Sequence, residues 1–394
     1  MKKRVFFVFF VLSLMVWGCA VKKPLPEIPM MKIAPSEYPA FADDMAYDGL
    51  RHSIQQSLEY LMNAPADRRF KFGEDVFDTA HIIRSLEHFL NFIDTRPPGR
   101  ELREFIASDY LVYKSAGAGE DGQMLFTGYY EPLIYGSLRK DGEYRFPVYA
   151  RPDDLISIDL SLFSSAFEGK KITGRISDKD FDPYHDRREI EEEHALEGKA
   201  EALAWVNDRT DLFFLQIQGS GKIALDDGEI INIHYHSQNG QPYRSIGKLL
   251  INEGKVAREE MSMQKIREYL DKHPQEIKDI LNHNPSYVFF SIVEDGPFGA
   301  LNVKLTPGRS IAVDRRIFPL TALSFIETRK PLVDGSGKIL RWTDCSRFVL
   351  NQDTGGAIKG PGRADLFWGN GTYAKIAAGH MRHGGNLYLL VLRP

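Results

Sequence analysis

The residues with the most chemistry in them lie close to the C-terminus. Residues 351–369 read NQDTGGAIKGPGRADLFWG, which places Asp353 and Asp365 among glycines, with Phe367 and Trp368 just beyond the second aspartate. A third aspartate, Asp314, sits upstream in SIAVDRRIFPL. A carboxyl held near apolar groups can serve as a general acid or base, and glycines let a backbone come close to a ligand. The same pattern is also what a tight surface turn uses, with aspartate as its cap. Asp353-Thr354-Gly355 is the tripeptide of aspartic proteases, but that chemistry needs two such carboxylates sharing one proton. Only one copy is present, and Gly356 stands where a hydroxyl residue belongs.

Other candidate motifs fail on their own terms. QGSGK at 218–222 resembles a phosphate loop, but Gln216 occupies the place of the first glycine and Ile223 that of the hydroxyl that reaches magnesium. His234 with His236, and His380 with His383, lack a cysteine or third carboxylate at zinc spacing, so no metal is expected. They read as surface or strand histidines.

Several elements must position the aspartates. Leu50, Ile54, Leu58 and Leu61 recur at helical spacing, as do Ile82, Leu86, Phe89 and Ile93; GRELREFIASDYLV predicts a third, shorter helix. From Met124 to about Asn239 the character turns to short β-prone runs: MLFTGYYEPLIYGSL, YRFPVYA, LFFLQIQGSGKIAL and EIINIHYHS. SMQKIREYLDKH and PQEIKDILNHN predict two helices bounded by Pro274 and Pro285. Strands resume in SYVFFSIVE, LNVKLTPGRSIAVD, LSFIET, RFVLNQD and NLYLLVLRP. The material suits a β-barrel or a β-sandwich.

The 394 residues, 43% hydrophobic and 26% charged, suffice for two or three globular domains. Residues 1–18 carry Lys2, Lys3 and Arg4 and no acids, so their removal takes the net charge from −4 to −7 and argues against nucleic acid as a partner. The apolar run Val5–Trp17 is shorter than the roughly 20 residues of a membrane span and reads as a signal-peptide core. It ends in VWGC, similar to a bacterial lipobox, with Cys19 as the residue to be lipidated and Ala20 compatible with outer-membrane sorting. Simple signal cleavage is the alternative. Acylation of Cys19 would leave Cys345 as the only other thiol, without a partner for a disulfide. Residues 19–40 read as a Pro-rich tether that holds the globule off the membrane.

FTGYYEP, FFLQIQGSG, NGQPYRSIGKLLI, EEMSMQKIREYL, NPSYVFF, SIAVDRRIFPLTAL and DTGGAIKGPGRADLFWG, in that order, resemble the successive blocks of the membrane-bound lytic murein transglycosylase A family, whose C-terminal module carries three aspartates. The resemblance implies a mainly β fold with flanking helices. A double-psi β-barrel would take residues 41–132 and 286–394, a smaller β-rich domain would be inserted at 133–285, and a cleft would lie between them. It implies cleavage of the β-1,4 bond between N-acetylmuramic acid and N-acetylglucosamine in peptidoglycan, without water or cofactor, leaving a 1,6-anhydromuramic acid end. Asp365 is the matched acid and base. It must start protonated, for which Leu366, Phe367 and Trp368 would supply a poorly hydrated pocket.

By the same matching, Asp353 would order the glycine-rich loop and Asp314 would support the barrel. Gly355, Gly356, Lys359, Gly360 and Gly362 belong to that loop; Thr127, Gly128, Tyr129 and Tyr130 would line the cleft, and Gln218, Gly219 and Ser220 would face it from the insert. Glu131 offers a second carboxylate, hence a hydrolytic muramidase as an alternative. A non-cutting, wall-loosening carbohydrate-binding module is the other. Expected partners are glycan strands, a membrane through the lipid anchor, and proteins of wall synthesis or division.

Overall fold

The structure, a computed structural model, describes residues 29–118 and 122–394; the signal peptide, Cys19 and the first part of the tether lie outside the described residues. None of the described helices is long and apolar enough to cross a membrane.

Six strands close into a ring. In order around it they are Met124–Glu131, Arg382–Leu392, Leu323–Val333, Ile339–Asp353, Ser310–Ala312 and Arg363–Asn370, which returns to Met124–Glu131. Two neighbouring pairs are parallel, Ser310–Ala312 with Ile339–Asp353 and Arg363–Asn370 with Met124–Glu131, in an otherwise antiparallel ring. This is the double-psi β-barrel. Alternation along the strands gives the wall two buried faces: Leu387 and Leu389 lie on one, and Phe325, Phe348 and Leu350 lie on the other, where the helices and the N-terminal segment cover them.

Helices Leu50–Met62 and Thr79–Ile93 pack on the barrel through the residues whose spacing predicts them. Asp78 caps the second by accepting from the His81 amide, and Phe89 meets Phe348 with ring centroids 5.0 Å apart. The third helix, Gly99–Asp109, stops earlier than its run suggested. Tyr110–Ser115 continues as a strand beside Arg382–Leu392, because the barrel's flank offers it a hydrogen-bonding edge.

The tether reading fails from Met30 onward. Met30–Lys32 pairs with Tyr113–Ser115, and Tyr38 and Phe41 are buried, Phe41 against Phe325 and Phe348. Prolines break helices but do not prevent edge-strand pairing or aromatic burial.

Pro132 alone separates the barrel strand Met124–Glu131 from Leu133–Ser137, which belongs to a second sheet. That six-stranded sheet runs Val288–Val293, Ile230–Gln238, Ser220–Leu225, Leu133–Ser137, Ala202–Val206 and Phe146–Tyr149. The insert therefore continues past residue 285 to Val293, because Val288–Val293 finds its partner in Ile230–Gln238.

LFFLQIQ is not a strand. Residues Arg209–Gln218 form a helix, capped by Asp208 at its start and ended by Gly219 at φ 82°. Leu212 and Leu215 pack on the sheet, whereas Phe213 and Phe214 pack on helices Ile246–Asn252, Met263–Lys272 and Ile277–Asn282. A helix buried on opposite sides has no polar face, so its period is invisible in the sequence. LNVKLT, expected as strand, is irregular apart from a single bridge from Lys304 to Phe298, and Ser310–Ala312 is the part of that run that forms a strand.

Candidate active site

The site is built from barrel register. Ala312 pairs with Asp353 on one side and with Asp365 on the other, and Asp365 pairs with Thr127. Asp353, Ala312, Asp365 and Thr127 thus form one row across four adjacent strands. With strands about 4.8 Å apart, the two aspartates are on the order of 10 Å apart along it. Asp365 lies inside a strand and does not cap a turn.

Alternation decides what surrounds Asp365. Leu366 is in the barrel core, and Phe367 shares the aspartate's side of the strand, its ring 5.2 Å from that of Tyr129. The expected apolar pocket from three consecutive residues is therefore not formed; only Phe367 contributes on that side. What meets the carboxyl is polar. Thr127 donates its hydroxyl to Oδ1 at 2.5 Å; Arg363 donates from Nε to Oδ1 at 3.0 Å and from Nη2 to Oδ2 at 3.2 Å. Arg363 also reaches the Thr127 hydroxyl oxygen at 3.1 Å. The Asp365 side chain retains 15% of its exposure and that of Arg363 retains 32%, so the pair opens to solvent.

Asp353 is held differently. Its Oδ1 accepts from the amides of Ala300 (3.0 Å) and Thr354 (2.8 Å), and its Oδ2 accepts from the Tyr129 hydroxyl at 2.8 Å. Burial outweighs these bonds and pushes its carboxyl up to about 6, with the charge of Asp365 adding to the rise. Tyr129 is raised as well, first by burial and then by Asp353.

Asp314 is buried, and its Oδ2 accepts from the Gly360 amide at 2.8 Å while Arg316 Nε donates to Oδ1 at 2.8 Å. Although burial works against it, these donors hold the Asp314 carboxyl below the usual range. Asp314 thereby anchors the glycine loop, in which Gly360 takes φ 83°, a left-handed turn that suits glycine. A side chain at Gly356 would meet nothing within 4 Å, so this part of the loop faces open space; Lys359 is exposed beside it. Gly355 instead packs on Ile358, and Gly362 on Ala118.

Two groups of expected cleft residues have other work. A Cβ on Gly128 would lie 2.7 Å from the Trp368 indole and 2.9 Å from Ala378 Cα, so Gly128 serves close packing and not the cleft. Gln218 accepts from the Tyr130 amide at 3.0 Å and donates to the Met263 sulfur, Gly219 ends a helix, and Ser220 opens a strand with 8% exposure. These residues splice barrel to insert without touching Asp365. Glu131 is buried, bonded to Asn370 Nδ2 at 3.2 Å and 3.8 Å from Lys222 Nζ, with its carboxyl raised by burial. It lies four residues along the strand from Thr127, about 13 Å at 3.3 Å per residue.

Two site residues were not singled out from the sequence as part of the site. Arg363 lies in the glycine-rich loop, and nothing in the sequence marks it as a partner of Asp365. Tyr243, in the insert's NGQPYRSIG, is 41% exposed and near enough that Arg363 and Asp365 both act on its phenol, which burial raises. Its signal was the block containing it.

Residues 125–291 match the family model described as MltA specific insert domain, and residues 309–391 match the 3D domain. The membrane-bound lytic murein transglycosylase A of Escherichia coli is 33% identical over 75% of this chain and 72% of its own length. The chain belongs to the membrane-bound lytic murein transglycosylase A family. Solved structures of that family superpose on it. A membrane-bound lytic murein transglycosylase from Agrobacterium tumefaciens gives a TM-score of 0.74 at 29% identity, covering 92% of this chain and 98% of its own. E. coli MltA with bound chitohexaose gives 0.67 at 27% identity, covering 96% and 98%.

Proposed function

We propose that the chain is a peptidoglycan lytic transglycosylase in which Asp365 acts first as acid and then as base. The observation that carries this reading is the placement of Asp365: a solvent-accessible carboxyl in the barrel wall, fixed by the Thr127 hydroxyl. Protonated Asp365 gives its proton to the oxygen bridging N-acetylmuramic acid and N-acetylglucosamine, and the bond from that oxygen to the muramic C1 breaks. The resulting carboxylate takes the proton of the same sugar's C6 hydroxyl as O6 bonds to C1. The products are a free 4-hydroxyl on the leaving sugar and a 1,6-anhydro ring, and no water is consumed. O6 outcompetes water because it is tethered to the reacting ring.

Asp353 supports the site. Two backbone amides occupy one of its oxygens and Tyr129 the other, an arrangement suited to fixing the loop and Tyr129 against the sugar. The distance of Glu131 along its strand and its engagement with Asn370 and Lys222 favour this one-carboxylate chemistry over hydrolysis. The name of the relatives, membrane-bound lytic murein transglycosylase A, supports a membrane-associated enzyme working on the periplasmic wall. Lipidation at Cys19, an outer-membrane address from Ala20, and contacts with wall-synthesis or division proteins extend this reading. A lipid-sized mass increase lost in Cys19→Ala tests the anchor.

Murein sacculi digested with the wild type should yield anhydro-ended fragments by mass spectrometry, and Asp365→Asn should yield essentially none. Reducing ends would assign hydrolysis. Binding without soluble fragments would assign a carbohydrate-binding module.

A further inference from the structure

Arg363 contacts both oxygens of Asp365 and the hydroxyl oxygen of Thr127, so its guanidinium occupies the space around the carboxyl that a leaving-group oxygen needs. For a proton to pass from Asp365 to a glycosidic oxygen, at least one carboxyl oxygen must face the substrate. Arg363 is free enough to yield. Its side chain is 32% exposed, its one other hydrogen bond among the described residues is to the Ala357 carbonyl at 3.5 Å, and an ion pair open to water is readily exchanged. A guanidinium leaves one carboxylate most easily for another, because its planar fork matches that shape.

We propose that Arg363 is a latch released by a substrate carboxylate: in the free enzyme it covers Asp365, and on binding it turns to the carboxylate borne by the muramic acid side chain. This deepens the proposed function and rests on it. Muramic acid differs from glucosamine by an O3-linked lactyl group, whose carboxyl is either free or extended by a carboxylated stem peptide. Either source supplies the anion, and neutral β-1,4 N-acetylglucosamine oligomers supply none. Arg363 would thereby select where along an alternating polymer the bond is cut. It lies beside Asp365, the group that would protonate the scissile bond.

The test uses the full-length chain in detergent with three glycans of equal length. One carries stem peptides, the second is denuded and has free lactyl carboxylates, and the third is denuded with those carboxyls reduced to alcohols. Wild type should show kcat/KM about tenfold or more higher on at least one carboxylated strand than on the reduced strand. Preference for the denuded strand identifies the lactyl carboxylate, and preference confined to the peptide-bearing strand identifies the stem. Arg363→Gln should bring the ratio near one, and Arg363→Lys should keep part of it. Equal rates on all three glycans in the wild type, or an unchanged ratio in Arg363→Gln, overturn the proposal. If Arg363→Gln turns over none of them, calorimetric affinities are read instead. Equal affinity for carboxylated and reduced strands supports the latch, and a retained tenfold difference overturns it. A wild type that makes no anhydro ends defeats the proposed function separately, and the binding ratios still judge Arg363.

Discussion

Thr127 and Asp365 sit opposite each other in a parallel strand pair, and the threonine hydroxyl donates to the aspartate at 2.5 Å. Parallel pairing inside a closed barrel fixes this contact from both sides, since the Arg363–Asn370 strand is also held by Ser310–Ala312. The orientation of the Asp365 carboxyl is therefore a property of the barrel.

Thr127→Val keeps the shape and removes the donor. Hydrogen bonds to charged groups are worth about 1.5–3 kcal/mol, so kcat for anhydro-end formation should fall on the order of 10- to 100-fold. The thermal midpoint should hardly move. Unaltered turnover would remove Thr127 from the site.

Asp353 carries a pH signature. Burial raises its carboxyl from 3.8 to about 6, so the folded state holds the proton more tightly than the unfolded chain. The associated stability is complete below about pH 3.8 and is lost as pH rises through 6, a change on the order of 2–3 kcal/mol. Asp353→Asn can still accept from Ala300 and Thr354, and its stability should lack that decline. Urea titrations of both proteins from pH 3.5 to 7.5 measure the difference; parallel curves would refute the assignment.

The ion pair of Asp43 with Arg309 is almost wholly buried, at 1% and 0% side-chain exposure, and Arg309 also bonds the carbonyls of Asp48 and Phe348. The guanidinium and the amides of Phe348 and Tyr47 hold the Asp43 carboxyl below its ordinary value against the opposing effect of burial. Asp43→Ala strands a buried cation and should cost about 3–5 kcal/mol in equilibrium unfolding. A loss under about 1 kcal/mol would show that the N-terminal segment is dispensable to the barrel.

Gly128→Ala places a methyl against an indole and a backbone Cα. Overpacking of this kind costs about 1–3 kcal/mol. Denaturant midpoints decide the matter: an unshifted midpoint would mean that the helix Gly371–His380 gives way freely.

The chain of seven blocks made the barrel and the insert legible and pointed to Asp365, because ordered motifs constrain topology far more than any single one. Local periodicity served where one face is polar, as in the helices carrying Ile54 and Leu86. It failed for Arg209–Gln218, which is packed from two sides, and gave no sign of Gly371–His380, whose buried face is made of alanines. The surroundings of Asp365 were misread because neighbours in sequence alternate across a strand: Leu366 went to the core while Arg363, two residues away, came to the carboxyl. The Asp43–Arg309 pair spans 266 positions and leaves no local trace.

Pro132 is the whole connection between the strand carrying Thr127 and the insert's sheet, and its carbonyl accepts from the Lys222 amide at 2.8 Å. Such a joint transmits torque and has no slack. The orientation of the insert's sheet is consequently tied to the strand that carries Thr127. Any tilt imposed on the insert by a passing strand would be felt as a twist at Thr127.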